Sequence, residues 1–354
     1  MKNKDNKILI ITPKFYPSIW WIEEQVKLLW ENFLEKWYEV DILTSKFDNK
    51  LEDKEKIFWF NIYRFSSIFS YISFLIKNWN NCDLILSRQY YKNSFLLWLL
   101  KFLKLIKTKA VIIWDWWTKK NEITILQEKL GLFSRLYFYI LSKNNYFIAN
   151  NSYFVQSLRE IFNKDFVKKI YNGIKLKDYK YPAKKEIINI LYLSRFDKWK
   201  WYIETIEAFK KIKNDNIKLH LIWYWDKKIE NQIKEIIKKD KRIIYHWKLY
   251  WQDKEDIIKK TDLFVFPTYY EWESFWMVLY EIALYNIPII STNFWDTKQI
   301  YWNNILYVKE KNVEDLKNKI EWIVNNIWSY NYDYTEALNK VDINTITKKI
   351  LELK

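Results

Sequence analysis

Residues 262–281, DLFVFPTYYEWESFWMVLYE, decide how this chain is read. The apolar run Asp262–Phe266 has the length and residue types of a buried strand, and Pro267 stops it, because proline donates no ladder hydrogen bond. A loop follows. Ser274, a residue type suited to helix N-caps, then opens a helical stretch. Glu273 lies in the loop and Glu281 a turn and a half inside the helix. Carboxylates so placed can accept hydrogen bonds from sugar hydroxyls around a bound phosphate.

The same plan recurs earlier. The strand Asn189–Ser194 runs into Arg195-Phe-Asp-Lys-Trp-Lys-Trp201, and a helix begins at Tyr202. Ligands of open α/β sheets bind beyond the carboxyl ends of strands, where both segments lie. Arg195 is one of only 6 arginines, against 53 lysines, so lysine abundance does not account for it. With Lys200 it provides two cations beside a helix start, a set that would stabilise a departing diphosphate.

Outward from these segments, short β-branched runs alternate with helical patterns along the whole chain. The first half offers strands at Lys7–Thr12, Tyr38–Thr44, Asn61–Phe65, Asp83–Ser87, Ala110–Ile113, Tyr146–Ala149 and Lys169–Tyr171. The second offers Asn189–Ser194, Lys218–Ile222, Ile243–His246, Asp262–Phe266, Pro288–Ser291 and Ile305–Val308. Helical candidates between them include Ile22–Lys36, Tyr202–Ile212, Ile229–Lys239 and Val313–Asn326. Strands fed by helices give parallel sheets with right-handed crossovers. At 354 residues the chain exceeds what one core usually holds. We therefore expect two doubly wound domains, 1–178 and 179–330, and a helical tail, 331–354, packing back on the first.

Composition narrows the function. A single cysteine, Cys82, excludes a disulfide framework within the chain. The net charge of +16 is almost all lysine and is spread along the sequence, which argues against nucleic acid as a partner. Residues 95–107, FLLWLLKFLKLIK, have the composition of an amphipathic basic helix for a membrane surface, or of a half-buried surface helix. Met1–Lys7 is polar and leads straight into a strand, with no signal peptide, so the expected place is the cytoplasm or the inner membrane face.

Tryptophan and glycine depart furthest from an ordinary chain, with 22 of the first and 2 of the second. Glycine averages about 7% of residues, roughly 25 in a chain of this length. The tryptophans stand where glycine is needed. Trp37 follows a helical stretch and precedes a strand, and Trp20-Trp21, Trp116-Trp117 and Trp223 with Trp225 follow apolar runs. The pattern points to codons that the source organism reads as glycine, as a reassigned stop codon would give. Abundant Lys, Ile, Asn, Tyr and Phe are the residue set of an AT-rich genome. Glycine at 272 and 276 would leave the amides of Phe275, Trp276, Met277 and Val278 open at a helix start, an anion site.

In these segments the chain resembles the family-4 retaining glycosyltransferases of the GT-B fold, over nearly its whole length. Read with glycine at the tryptophans, Pro13–Trp21 is similar to that family's first loop. Residues 194–201 resemble its Arg-to-Lys-Gly phosphate motif, and Glu273 to Glu281 its two-glutamate signature. Asn172-Gly173-Ile174, Leu221–Trp225, Tyr245–Lys248 and Ile282–Thr292 extend the match. The resemblance implies an α/β chain of two doubly wound Rossmann-like domains facing a central cleft. Its implied reaction moves a sugar from a nucleotide-diphosphate donor to a glycan or lipid-linked acceptor hydroxyl, with retention and without metal or other cofactor. By position, Arg195 and Lys200 would hold the diphosphate, Glu273 the donor sugar and Glu281 the ribose. Trp20, Trp21 and the amides from Ser274 to Val278 would complete the cradle.

Two departures stand beside the match. No histidine follows the fifth strand, where the family often has one, and Asp115 is the candidate for its place. As written, Trp20, Trp21, Trp272 and Trp276 would fill the phosphate site. The competing readings are another GT-B sugar-nucleotide enzyme, such as an epimerase, and a non-catalytic, Trp-rich carbohydrate- or membrane-binding protein.

Overall fold

The computed structural model describes the chain apart from residues 1–5, 19–20, 58–59, 79–81, 89–90, 115–144, 162–163, 178–184, 195–197, 223–232, 247–248, 250, 270–276, 294–295, 302–303 and 330–331. It divides into two compact units, one made of Met1–Lys175 with Val341–Lys354, the other of Leu176–Lys340.

The first unit holds an eight-stranded sheet in the order β3-β4-β2-β1-β5-β6-β7-β8. The strands are β1 (Lys7–Thr12), β2 (Glu39–Ser45), β3 (Lys54–Ile57), β4 (Phe60–Phe65), β5 (Leu84–Arg88), β6 (Ala110–Trp114), β7 (Asn145–Ala149) and β8 (Val167–Lys169). All pairs are parallel except β3 with β4. Ile8, Leu9, Ile10 and Ile11 of the central β1 are all buried, as a parallel strand covered on both faces requires. Leu9 and Ile11 join one apolar cluster and Ile8 and Ile10 another, one on each face of the sheet. The second cluster contains Val26, Leu29 and Phe33 of the helix Trp21–Glu35 and Ile343, Ile346 and Ile350 of the terminal helix Ile343–Leu351.

This unit departs from the expected pattern in several places, the eighth strand among them, expected at Lys169–Tyr171 and found at Val167–Lys169. Lys54–Ile57, KEKI, has three charged residues before its single isoleucine, a composition that does not mark a strand; it is a half-exposed edge strand. Residues 95–107 do not form one helix. The helix Tyr91–Phe102 ends there, and Lys104, left-handed at φ 60°, closes it through Leu105 N–H to Leu100 C=O. The return to the first unit starts at Val341 rather than 331. Residues 332–340 stay with the second unit, where the buried Tyr334 donates its hydroxyl to the Ile287 carbonyl at 3.1 Å and meets Tyr301 edge-on.

The second unit is a six-stranded parallel sheet, β11-β10-β9-β12-β13-β14. Its strands are β9 (Ile188–Leu193), β10 (Ile217–Ile222), β11 (Ile243–His246), β12 (Leu263–Phe266), β13 (Ile289–Thr292) and β14 (Leu306–Val308). This is the doubly wound strand order, and the direction of winding reverses between β9 and β12.

Candidate functional site

The two segments singled out in the sequence leave the two strands that flank this reversal, which are hydrogen-bonded neighbours. After β9 the chain makes a short turn, Lys198–Lys200, and enters the helix Tyr202–Lys210. Tyr192 fixes that turn by donating its hydroxyl to the Lys200 carbonyl at 2.6 Å. After β12, Tyr269 N–H donates to the Trp199 carbonyl at 3.0 Å, and Thr268 Oγ1 donates to the same oxygen at 3.3 Å. Thr268 N–H is taken by Thr292 Oγ1 of β13 at 3.1 Å, and Ser291 donates to the Phe266 carbonyl at 2.9 Å. Hydroxyl side chains thus satisfy the backbone groups that the ending strands leave open. They hold two loops together at the carboxyl ends of β9 and β12.

Lys200 is almost completely buried in this corner, with Nζ 5.1 Å from the centre of the Phe266 ring. Tyr269 stands between Trp199, at 5.3 Å, and Trp201, at 5.9 Å, and Lys311 Nζ lies 5.0 Å from its ring centre. Beyond the loop the helix Met277–Ala283 buries Leu279, Tyr280, Ile282 and Ala283. Met277, Val278 and Glu281 fall on its half-exposed side, as positions one helical turn apart do. Glu281 accepts from Lys254 Nζ at 2.9 Å, a contact from the helix Trp251–Lys260.

The structure therefore places Lys200, Met277, Val278 and Glu281 beyond the ends of the second sheet. Trp21 opens the helix Trp21–Glu35 in the first unit, at the far end of the loop leaving β1. Arg195, Glu273, Ser274, Phe275, Trp276, Asp115 and Trp20 lie outside the described residues. Lys254, Tyr269 and Lys311 escaped the sequence reading. Among 53 lysines and 27 tyrosines no spacing sets these three apart.

In the first unit the loop after β1 is braced by Arg64. This fully buried guanidinium donates to the Tyr16 carbonyl at 2.8 Å and the Glu52 carbonyl at 3.1 Å, and meets Glu55 at 2.6 Å. Arg88, Asn150 and Asn172, at or beyond the carboxyl ends of the sheet, line a cavity of about 20 Å³ with Gln25, room for a single water. The two histidines are part of the second sheet. His220 Nδ1 and His246 Nε2 lie 2.8 Å apart and the rings stack, while His220 Nε2 meets Asn189 Oδ1 at 3.1 Å. Burial pushes the His220 pKa down to about 4 and also lowers that of His246. Among the described residues no cluster of three or more His, Cys, Asp or Glu could hold a metal ion, and no helix is long and apolar enough to cross a membrane.

Residues 175–338 match the protein family described as glycosyl transferases group 1. An uncharacterized 41.2 kDa protein in the cps region of Klebsiella pneumoniae is 25% identical over 251 residues. The match covers 66% of this chain and 66% of that one, just under two thirds of its length. Among solved structures, sucrose-phosphate synthase from Thermosynechococcus elongatus superposes with a TM-score of 0.73 at 16% identity, over 98% of both chains. HepE from Anabaena, solved in complex with UDP and glucose, gives a TM-score of 0.69 at 13% identity, again over 98% of both. The chain has the GT-B fold, with two Rossmann-like units.

Proposed function

We propose, from a GT-B chain whose residues 175–338 match the glycosyl transferases group 1, that this protein is a retaining glycosyltransferase. It moves a sugar from a nucleotide-diphosphate-sugar to an acceptor hydroxyl. The observation that carries this reading is the tie between the Lys198–Lys200 turn and the Thr268–Tyr269 loop at the winding reversal of the second sheet. That is where a doubly wound sheet receives a nucleotide.

In this reading Lys200, with Arg195, neutralises the diphosphate as it leaves with the bonding electrons of the anomeric carbon. Glu281 accepts from the ribose hydroxyls. Glu273 orients the donor sugar, and Asp115 takes the position of the absent histidine. The amides from Ser274 to Val278 and the loop containing Trp20 and Trp21 complete the phosphate cradle. Cationic side chains meet the diphosphate charge, so the reaction proceeds without added metal. The UDP and UDP-glucose complexes of HepE support a nucleotide-sugar as donor. The Klebsiella relative's place in a cps region supports a role in cell-envelope glycan or glycolipid synthesis. An acceptor of that kind fits contact with the inner membrane face through residues 102–107, where Phe102, Leu103 and Leu105 are exposed beside Lys104 and Lys107.

The test is incubation of protein carrying glycine at positions 20, 21, 272 and 276 with a panel of nucleotide-sugars in EDTA and assay of released nucleoside diphosphate. Release that is lost in Arg195→Ala, and that in Glu281→Ala requires a higher donor concentration, supports the assignment. Equal release by both variants and the parent would overturn the site, and no release from any donor would overturn the reaction.

A further inference from the structure

The backbone at two tryptophans is left-handed, a conformation that favours a residue without a side chain. The helix Trp21–Glu35 closes with Tyr38 N–H donating to the Phe33 carbonyl at 3.0 Å and Trp37 N–H to the Leu34 carbonyl at 2.9 Å. The Tyr38 ring meets that of Phe33 edge-on at 6.2 Å, the apolar contact that accompanies this type of helix end. Such a closure needs a left-handed residue between Lys36 and Tyr38, and Trp37 has φ 65°. Glycine is the usual occupant, because any Cβ there crowds the following carbonyl. The Trp37 side chain is 88% exposed, so packing offers little return for the strain.

Trp201 repeats the conflict in a different setting. It is the N-cap of the helix Tyr202–Lys210, left-handed at φ 54° and ψ 33°, and its side chain makes no capping hydrogen bond. Its indole is wholly buried, and Nε1 has no hydrogen-bond partner among the described residues. Ser, Thr, Asn, Asp or Gly is the ordinary choice at an N-cap, and of these glycine is the one that enters left-handed space at no steric cost. Tryptophan takes two of the five left-handed non-glycine positions in the described chain, beside Asn286, Lys104 and Lys311. Trp30, inside a helix, and Trp114, inside a strand, are buried in regular elements and make no such demand.

We infer that the native protein carries glycine at positions 37 and 201, because its organism reads as glycine a codon that is written as tryptophan in this sequence. The geometry at either position is independent of what the enzyme transfers. Glycine at 201 would also empty the space that the indole fills beside Lys200 and Tyr269.

Trypsin reports on both positions in one digest of the protein taken from its own organism. Lys36 and Lys200 precede the two residues, so the peptides are 37–46, WYEVDILTSK, and 201–210, WYIETIEAFK. The expected mass of each is lower by the difference between tryptophan and glycine. A tryptophan mass in either peptide would overturn the inference at that position. Thermal unfolding of recombinant variants is a second reading. Trp37→Gly and Trp201→Gly are each expected to raise Tm by several degrees. A fall in Tm for Trp201→Gly, as emptying a native indole site would give, would count against glycine at 201.

Discussion

The amide of Tyr269 and the carbonyl of Trp199 are joined by a 3.0 Å hydrogen bond, so the loop leaving β12 cannot shift without the turn that presents Lys200. These two loops belong to adjacent strands but are separated by about seventy residues of sequence. Their union makes a charged corner out of parts that are individually unremarkable, and it sets the order in which substitutions should matter.

Lys200→Met keeps the buried aliphatic stem and removes the charge. We expect kcat/KM for the donor to fall about 100- to 1000-fold, the usual effect of removing one group that stabilises developing charge. Steady-state release of nucleoside diphosphate measures it, with circular dichroism as the check on folding. A change of less than threefold would remove Lys200 from the diphosphate site.

Glu281→Gln should act differently. The carboxylate accepts from Lys254 at 2.9 Å and is proposed to accept from the ribose, which does not react. Loss of such uniform binding raises the donor KM, by about tenfold, with kcat little changed. A fall in kcat at constant KM would instead give Glu281 a role in the chemical step.

Gly173→Ala tests how the tail is seated. A Cβ at Gly173 would meet Ile343 Cδ1 at 2.5 Å and its backbone Cα at 3.3 Å. Gln25 holds the peptide from both sides, donating to the Gly173 carbonyl at 3.0 Å and accepting from its N–H at 3.1 Å. With no room to retreat, the substitution should cost about 1–3 kcal/mol, read from urea unfolding. A neutral effect would mean that the terminal helix is loosely attached.

The histidine pair predicts a pH dependence. Burial, then the neighbouring His246 and Lys218, hold the His220 pKa at about 4. An unfolded histidine titrates near 6.5, so between these values the unfolded state binds the extra proton. The neutral pair's contribution is complete above about pH 6.5 and is lost as pH falls toward 4. Urea midpoints should drop between pH 7.5 and 5.5, and less so in the His220→Asn, His246→Asn double variant. Identical slopes in the two proteins would exclude the pair as the cause.

The exposed apolar residues after the helix Tyr91–Phe102 make a separate prediction. Vesicles containing anionic lipid should sediment the protein, and Leu103→Ser with Leu105→Ser should weaken binding about tenfold while leaving donor hydrolysis unchanged. Equal binding by parent and variant would move the contact elsewhere.

Most of the strand pattern could be read from the sequence because parallel, doubly covered strands are continuous apolar runs, as in Lys7–Thr12 and Asp262–Phe266. The edge strand Lys54–Ile57 could not, since it is half-exposed and three of its four residues are charged. Lys200 and Glu281 could be proposed from the sequence because each stands at a fixed distance from a strand end. Lys254 was not, because its role comes from a helix packed alongside, which leaves no mark on local spacing. Arg64 was missed for the same reason: its partners are backbone carbonyls at residues 16 and 52, and a carbonyl has no sequence signature. The shift of the tail's start from 331 to 341 follows from Tyr334, whose aromatic contacts are invisible until Tyr301 and Ile287 are placed beside it.

The bridge between Ile174 and Asp342 brings the last residues of the chain into the unit that begins it. Ile343 N–H donates to the Ile174 carbonyl at 2.9 Å, and Ile343, Ile346 and Ile350 fill out the first unit's core. A growing chain ordinarily completes its amino-terminal domain first. Here the ribosome releases all of Leu176–Lys340 before it supplies the helix that finishes the opening unit. The second unit can close while the first still waits, and a message truncated before Val341 would yield a complete second unit attached to an incomplete first.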